Sequence, residues 1–301
     1  MNTNHIRVRE ILFLPNWKNN LSVMKTLLVS ICLLYSLTGF TQHYYIDIIG
    51  TRETAGIMQA YLKNKVSHVI LSSFDETNAP IKDFYVEQNF DAAKRILQTI
   101  TRSDEAHASV LLSYLDDNNL VVKTTDSSDF MVSNSIYNYD PSGKLLSIVN
   151  SSLDSSGKSS ETEQHIWNYN NNRIATMLRI KNRRDTSYVN FKLDENGNVI
   201  EEQETRKGVK SDPVYYYYDA NNRLTDIVRF NKKANRLLPE YMFEYSPSSQ
   251  LVQKITVPAN SDNYLIWRFQ YSTQGLKTKE IIYNKLKKLT GKIEYQYSFS
   301  S

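Results

Sequence analysis

The chain has 301 residues, with hydrophobic residues at 41%, charged residues at 23% and nine glycines. That balance excludes a disordered or fibrous chain and leaves room for one large domain or two small ones. The net charge of +4 is largely carried by residues 1–41, which hold four of the 36 basic and one of the 32 acidic residues; without them it is +1, so bulk charge gives no case for a nucleic-acid partner.

From Met24 the chain reads MKTLLVSICLLYSLTGFTQ. A lysine, an eleven-residue apolar run from Leu27 to Leu37 and a Gly39-Phe40-Thr41 site have the layout of a secretory signal peptide. The run is too short to span a bilayer unaided. Residues 1–41 therefore read as a leader starting at Met24, with export to the periplasm, the cell surface or beyond and no stable membrane span after its removal. The single cysteine, Cys32, lies inside that run. The mature chain thus has no disulfide, thiolate or cysteine metal chemistry, and Ile31 before the cysteine speaks against a lipoprotein.

Residues 42–65 read as an N-terminal cap segment. Thr51 is expected to cap a short helix with Ile57, Met58, Tyr61 and Leu62 on one face, closing the end of a repeat array. The array occupies residues 66–301. Its pattern is aromatic-x-aromatic-Asp, a turn, then Leu or Ile: Tyr137/Tyr139, Trp167/Tyr169, Phe191/Leu193, Tyr216/Tyr218, Phe243/Tyr245, Phe269/Tyr271 and Tyr295/Tyr297. The second positions step by 30, 24, 25, 27, 26 and 26 residues. Alternation puts both rings of a pair on one face of a strand. Asp140-Pro-Ser-Gly143, Asp194-Glu-Asn-Gly197 and Asp219-Ala-Asn-Asn222 then open a turn with a side chain and close it with a residue that tolerates positive φ. Weaker copies at Phe74-Asp75, Phe90-Asp91 and Tyr114 to Leu120 carry the pattern upstream, and the polar stretch Ser151–Glu163 reads as a solvated loop. The expected fold is all-β: an antiparallel meander of tandem hairpins of roughly 26 residues in one long curved sheet.

The units Tyr139-Asp140-Pro-Ser-Gly143-Lys-Leu145 and Tyr218-Asp219-Ala-Asn-Asn222-Arg-Leu224 resemble the YD, or Rhs, repeat. The resemblance implies an all-β strip over about three quarters of the chain. It does not bring the hollow toxin shell of the large members, for which this chain is too short. Asp140-Pro141-Ser142-Gly143 also looks like the element at which large members cleave themselves; here it fills an ordinary turn position.

His43, His68, His107 and His165 form no ligand-spaced pair, so no metal is expected, and no phosphate loop, nucleophile elbow or dinucleotide fingerprint is present. No cofactor and no catalytic residue follow. The densest polar strand runs from Glu161 to Tyr169, with Glu161, Glu163, His165, Trp167 and Tyr169 on one face; it reads as an acidic wet end and a packed aromatic end, with Glu163, His165 and Trp167 as binding candidates. Asp194–Asn198 reads as a turn in preference to a calcium loop. Lysines 277, 279, 285, 287, 288 and 292 read as guards of a sheet edge. In the run Tyr215–Tyr218, Tyr216 and Tyr218 belong to the repeating face, while Tyr215 and Tyr217 lie on the mostly polar face and are the other binding candidates. The terminal strand Tyr295–Ser301 is expected to be an edge, to close the sheet or to accept a strand from another chain. Together these features point to an exported, non-enzymatic scaffold or binding module of the cell envelope with a glycan or protein ligand. An accessory or immunity-type partner of a secreted complex is the alternative, with a glycan-active enzyme behind both.

Overall fold

A computed structural model describes residues 43–300 apart from 104–107, 129–130, 155, 158, 259–260 and 262. The leader, Cys32 and His107 lie outside the described residues. A twenty-residue helix, α1 (Tyr45–Asn64), comes first. Strands follow: β1 (Val66–Asp75), β2 (Tyr85–Asp91), β3 (Ile96–Arg102), β4 (Ala108–Leu115), β5 (Val121–Ser127) and β6 (Met131–Tyr139). Then come β7 (Leu145–Asp154), β8 (Ser159–Asn170), β9 (Arg173–Lys181), β10 (Asp185–Leu193), β11 (Val199–Arg206) and the two-residue β12 (Val209–Lys210). The last are β13 (Val214–Tyr218), β14 (Leu224–Asn231), β15 (Arg236–Tyr245), β16 (Leu251–Thr256), β17 (Leu265–Tyr271), β18 (Lys277–Asn284) and β19 (Leu289–Phe299).

Consecutive strands pair antiparallel throughout, and β12 is a side ribbon on β11, which also pairs β13. The decisive pairing joins the ends: Val69 lies opposite Tyr297 and Leu71 opposite Tyr295, so β19 returns to β1. The sheet is a closed antiparallel barrel with 18 strands in the ring. This overturns the expectation of one long open curved sheet of tandem repeats. Twisted antiparallel strands in this number curl until their ends meet, and closure satisfies both rows of edge N–H and C=O groups. The terminal strand is accordingly bonded on both sides, to β18 and β1, and offers no open edge. The polar stretch Ser151–Glu163 is not a wide loop either: β7 and β8 extend into it, paired from Ser147 to Leu153.

The turns repeat one geometry. Asp140 Oδ1 accepts from the N–H groups of Ser142 and Lys144, and Gly143 takes φ +81°. Asp116, Asp194 and Asp219 bond the N–H four residues on in the same way, closed by Asn119, Gly197 and Asn222 at positive φ. A second device links each hairpin to the one before it. The hydroxyls of Tyr139, Tyr169, Tyr218, Tyr245, Tyr271 and Tyr297 donate to the carbonyls of Val121, Leu145, Val199, Leu224, Leu251 and Lys277, at 2.7–2.9 Å. Buried phenol hydroxyls require such partners, and these lock the register of each step. Leu193, in the unit that lacks a second ring, makes no such bond.

The aromatic face is the inner one, and α1 occupies the lumen. The helix touches β2 (Tyr61 hydroxyl to Gln88, 2.6 Å), β8 (Asp47 to His165, 2.7 Å), β10 and β13 (Tyr45 against Phe191 and Tyr216) and β19 (Tyr61 against Tyr297). Contacts around so much of the ring are possible only from inside. The helix is therefore not a cap on the end of an array. Thr51 does not cap it but sits within it, bonding the Ile48 carbonyl at 3.0 Å. Its buried face is Ile48, Thr51, Ala55, Met58 and Tyr61, while Ile57 is 46% exposed. That face packs on Trp167, Met177 and Val189 of β8–β10 on one arc of the wall and on Val69, Phe90, Leu97 and Val121 of β1, β2, β3 and β5 on another. The outer wall carries ion pairs, among them Lys192–Glu201 (2.7 Å) and Lys279–Glu294 (3.0 Å), on residues that alternate with the inward rings. A transmembrane barrel carries an apolar band outside and a polar lumen; this wall turns aromatic rings inward, and outside it mixes ion pairs with exposed apolar side chains such as Ile136, Val149 and Leu153. No helix among the described residues is long and apolar enough to cross a membrane.

Candidate functional site

Two luminal regions hold chemistry. The first lies at the N-terminal end of α1 and is closed. Glu163, 3% exposed, bonds His165 Nε2 at 2.8 Å and Arg179 at 2.7 Å, while His165 Nδ1 meets Asp47 of the helix at 2.7 Å. Burial raises the Glu163 carboxyl, but the hydrogen bonds and charges of His165 and Arg179 prevail and hold it at about 2. Burial likewise opposes the His165 charge, yet Asp47 and Glu163 push its pKa up to about 9. The imidazole is thus a cation between two carboxylates. Beside it, the Glu202 carboxylate accepts the N–H groups of Tyr44 and Tyr45 at 3.0 and 2.9 Å. It caps a helix whose own N-terminal residue supplies no side-chain cap. His43 bonds Glu240 of β15 at 2.6 Å. Each partner here fastens the helix to the wall.

The second region is open. On the helix face opposite Met58, Arg52, Glu53 and Gly56 are exposed, and a Cβ at Gly56 would meet nothing within 4 Å. This face looks across the lumen toward β15–β18. There Tyr241 and Phe243 stack in parallel, 6.3 Å between centroids and 11° between planes, and both are half-buried. Lys254 Nζ sits over the two rings at 5.2 and 5.9 Å. Lys277 lies over Phe269 at 4.7 Å and bonds Glu280 at 2.7 Å, which also accepts from Tyr295 at 2.6 Å. Glu53 touches solvent, yet burial by the surrounding walls raises its carboxyl pKa, with Lys254 and Lys277 pulling the other way. Burial lowers the Lys254 ammonium, with Glu53 pulling it up. Toward the turn end, beside Asn119, Gly56, Gln59 and Lys63 border a cavity of about 510 Å³.

The structure separates the residues singled out in the sequence. Glu163, His165 and Trp167 do share a face, but that face is luminal and dry: their end of the strand is not wet, and they anchor the helix. Tyr215 and Tyr217 lie on the outer wall, opposite Glu201 and Asp226 in the neighbouring strands, with Tyr217 48% exposed. They meet none of the other candidates. Asp194 bonds Asn198, as a turn residue does. Among the described residues no cluster of His, Cys, Asp or Glu could hold a metal ion. The cleft residues Glu53, Tyr241 and Lys254 were missed. The available signal was Lys254 itself, a lysine on the ring-bearing side of Leu251–Thr256, but that side is identified only by its pairing with Phe243 and Trp267.

No family model matches the chain, and no curated protein does. The resemblance of the repeat units to the YD family remains a likeness of motif. Among solved structures, a porin-like protein from Bacteroides uniformis aligns at 12% identity over 78% of this chain and 97% of its own, with a TM-score of 0.35. The pore of the Photorhabdus luminescens Tc holotoxin aligns at 10% over 75% of this chain and 15% of its own, at 0.29. An outer membrane lipoprotein-sorting protein domain from Vibrio parahaemolyticus aligns at 8% over 83% and 92%, at 0.15. With TM-scores this low, none of them bears on the role of this chain.

Proposed function

We propose that the protein is an exported, non-enzymatic binding module of the cell envelope that admits a saccharide into the luminal cleft. The stacked, half-buried pair Tyr241/Phe243, on the luminal wall across from α1, carries this reading: sugar rings present C–H faces that pack on aromatic faces, and charged side chains nearby hydrogen-bond their hydroxyls. The signal-peptide layout supports export. Glycoside hydrolysis uses a pair of free carboxyl groups. Among the described residues Glu53 is free in the cleft, but Glu163, Glu240 and Glu280 are bound by neighbours and give it no second free carboxyl, which supports binding without turnover.

Trp267, 8% exposed and cross-strand from Lys254, is a reporter in place. Titrating the mature chain with a saccharide panel should change its fluorescence, with the sugars recovered unaltered. Tyr241→Ala should weaken the response by up to about tenfold, the worth of one ring contact. A panel that leaves the fluorescence unchanged, or a Tyr241→Ala protein that binds equally well, would overturn the reading.

A further inference from the structure

Resting on that reading, we infer that the cleft is built for a dipolar ligand: one that presents a carboxylate to Lys254 and a protonated amine to Glu53, on a ring that lies against Tyr241 and Phe243. The inference stands on which charges in the cleft already have partners. Lys277 and Glu280 neutralise one another at 2.7 Å, and Tyr295 completes the Glu280 carboxylate. Among the described residues no carboxylate lies within ion-pair distance of Lys254, and its described contacts are the faces of Tyr241 and Phe243. Glu53 makes no described hydrogen bond or ion pair, and its described interactions are with the distant charges of Lys254 and Lys277. An exposed carboxyl and a half-buried ammonium therefore line the same part of the lumen, near enough to influence one another and with no described ion pair between them. A ligand that spans them gives each an opposite charge at once.

Net charge selects among candidates. A purely anionic ligand would satisfy Lys254 but bring a second negative charge toward Glu53. A purely cationic one would satisfy Glu53 but bring a second positive charge toward Lys254. A ligand with separated charges and no net charge matches the pattern at both ends, and complementarity of this kind governs specificity. The open space at Gly56, one turn beyond Glu53, leaves room beside the amine for the body of the ligand.

The test compares four pyranose probes on the mature chain by Trp267 fluorescence: glucose, glucuronate, glucosamine and muramic acid, which carries both an amine and a carboxylate. Muramic acid should bind at least about tenfold more tightly than the other three, the worth of one charged hydrogen bond. Lys254→Met should reduce it to the level of glucosamine, and Glu53→Gln to that of glucuronate. Unchanged thermal unfolding would show that both variants fold. Glucose binding as tightly as muramic acid, with both variants silent, would overturn the dipolar ligand and leave the saccharide reading standing. A second set separates the sugar from the charges: L-phenylalanine, 3-phenylpropionate and phenethylamine. If L-phenylalanine alone binds, in a manner lost in both variants, while no sugar does, the dipolar site stands and the saccharide reading falls. If neither set binds, both fall.

Discussion

Replacing Glu163 with Gln tests whether the helix is held in the barrel by the buried network. The substitution keeps the shape of the side chain and one acceptor oxygen, but removes the charge that faces Arg179 at 2.7 Å and His165 at 2.8 Å. Removing one partner of a buried pair costs about 3–5 kcal/mol because the other charge is left uncompensated. The retained oxygen places Glu163→Gln near the lower end. For a chain of this size each kcal/mol moves Tm by about 2–4 °C, so a fall of about 6–12 °C is expected in thermal unfolding followed by circular dichroism. The pH profile gives an independent signature. Glu163 sits at about 2, below its ordinary 4.5, so its contribution is present above about pH 4.5 and lost as pH falls through 2. His165 sits at about 9, above its ordinary 6.5, so its contribution is full below about pH 6.5 and lost as pH rises through 9. Either shift corresponds to about 3 kcal/mol, shared within one coupled network and not to be added. In Glu163→Gln the acid arm should shrink by the Glu163 share, with the depressed turn residues Asp140, Asp194 and Asp219 keeping part of it, while the alkaline arm persists in reduced form because Asp47 still faces His165. A variant as stable as the parent, or a parent whose stability is flat between pH 6.5 and 9, would refute the role given to this network.

Two further outcomes follow from the barrel wall and its contents. Tyr245→Phe removes only the hydroxyl bonded to the Leu224 carbonyl and should cost about 1 kcal/mol, read as a Tm lower by about 2–4 °C; no change would mean the tyrosine bonds are incidental. Removing residues 42–64 strips α1 from the lumen and exposes Trp167, Met177, Val69 and Leu97, so the truncated chain should bind a hydrophobic dye strongly or fail to stay soluble. A soluble, dye-silent barrel would show that the helix is dispensable.

The local structure was legible in the sequence because it is decided by neighbours a few residues apart. Asp140 and Gly143 form the turn their side chain and backbone freedom dictate, and the ring pairs fall on one side of their strands by alternation alone. How the array ends is open in the sequence: closing the sheet is one of three outcomes for the terminal strand Tyr295–Ser301, and nothing in the sequence selects it. Val69 meets Tyr297 across more than two hundred residues, and no period in the chain marks that pairing. Everything that depends on closure was missed with it. Once the ring closes, the aromatic face becomes an interior, the helix becomes its filling, and Glu163 moves from a wet strand end to a dry contact with Arg179. Glu53 and Lys254 come together for the same reason: they belong to opposite sides of an enclosure that an open sheet does not have.

The tyrosine-to-carbonyl bonds have one further consequence. Each reaches back to the preceding hairpin and no farther, so every joint is indifferent to how many others exist. Circumference must be gauged by something that touches opposite walls together, and α1 does so, from Gln88 on one side to Glu202 and Glu240 near its start. The helix is a mandrel around which an otherwise open-ended series is brought to a definite girth. Adding or deleting one hairpin would leave every joint intact and yet ruin the fit.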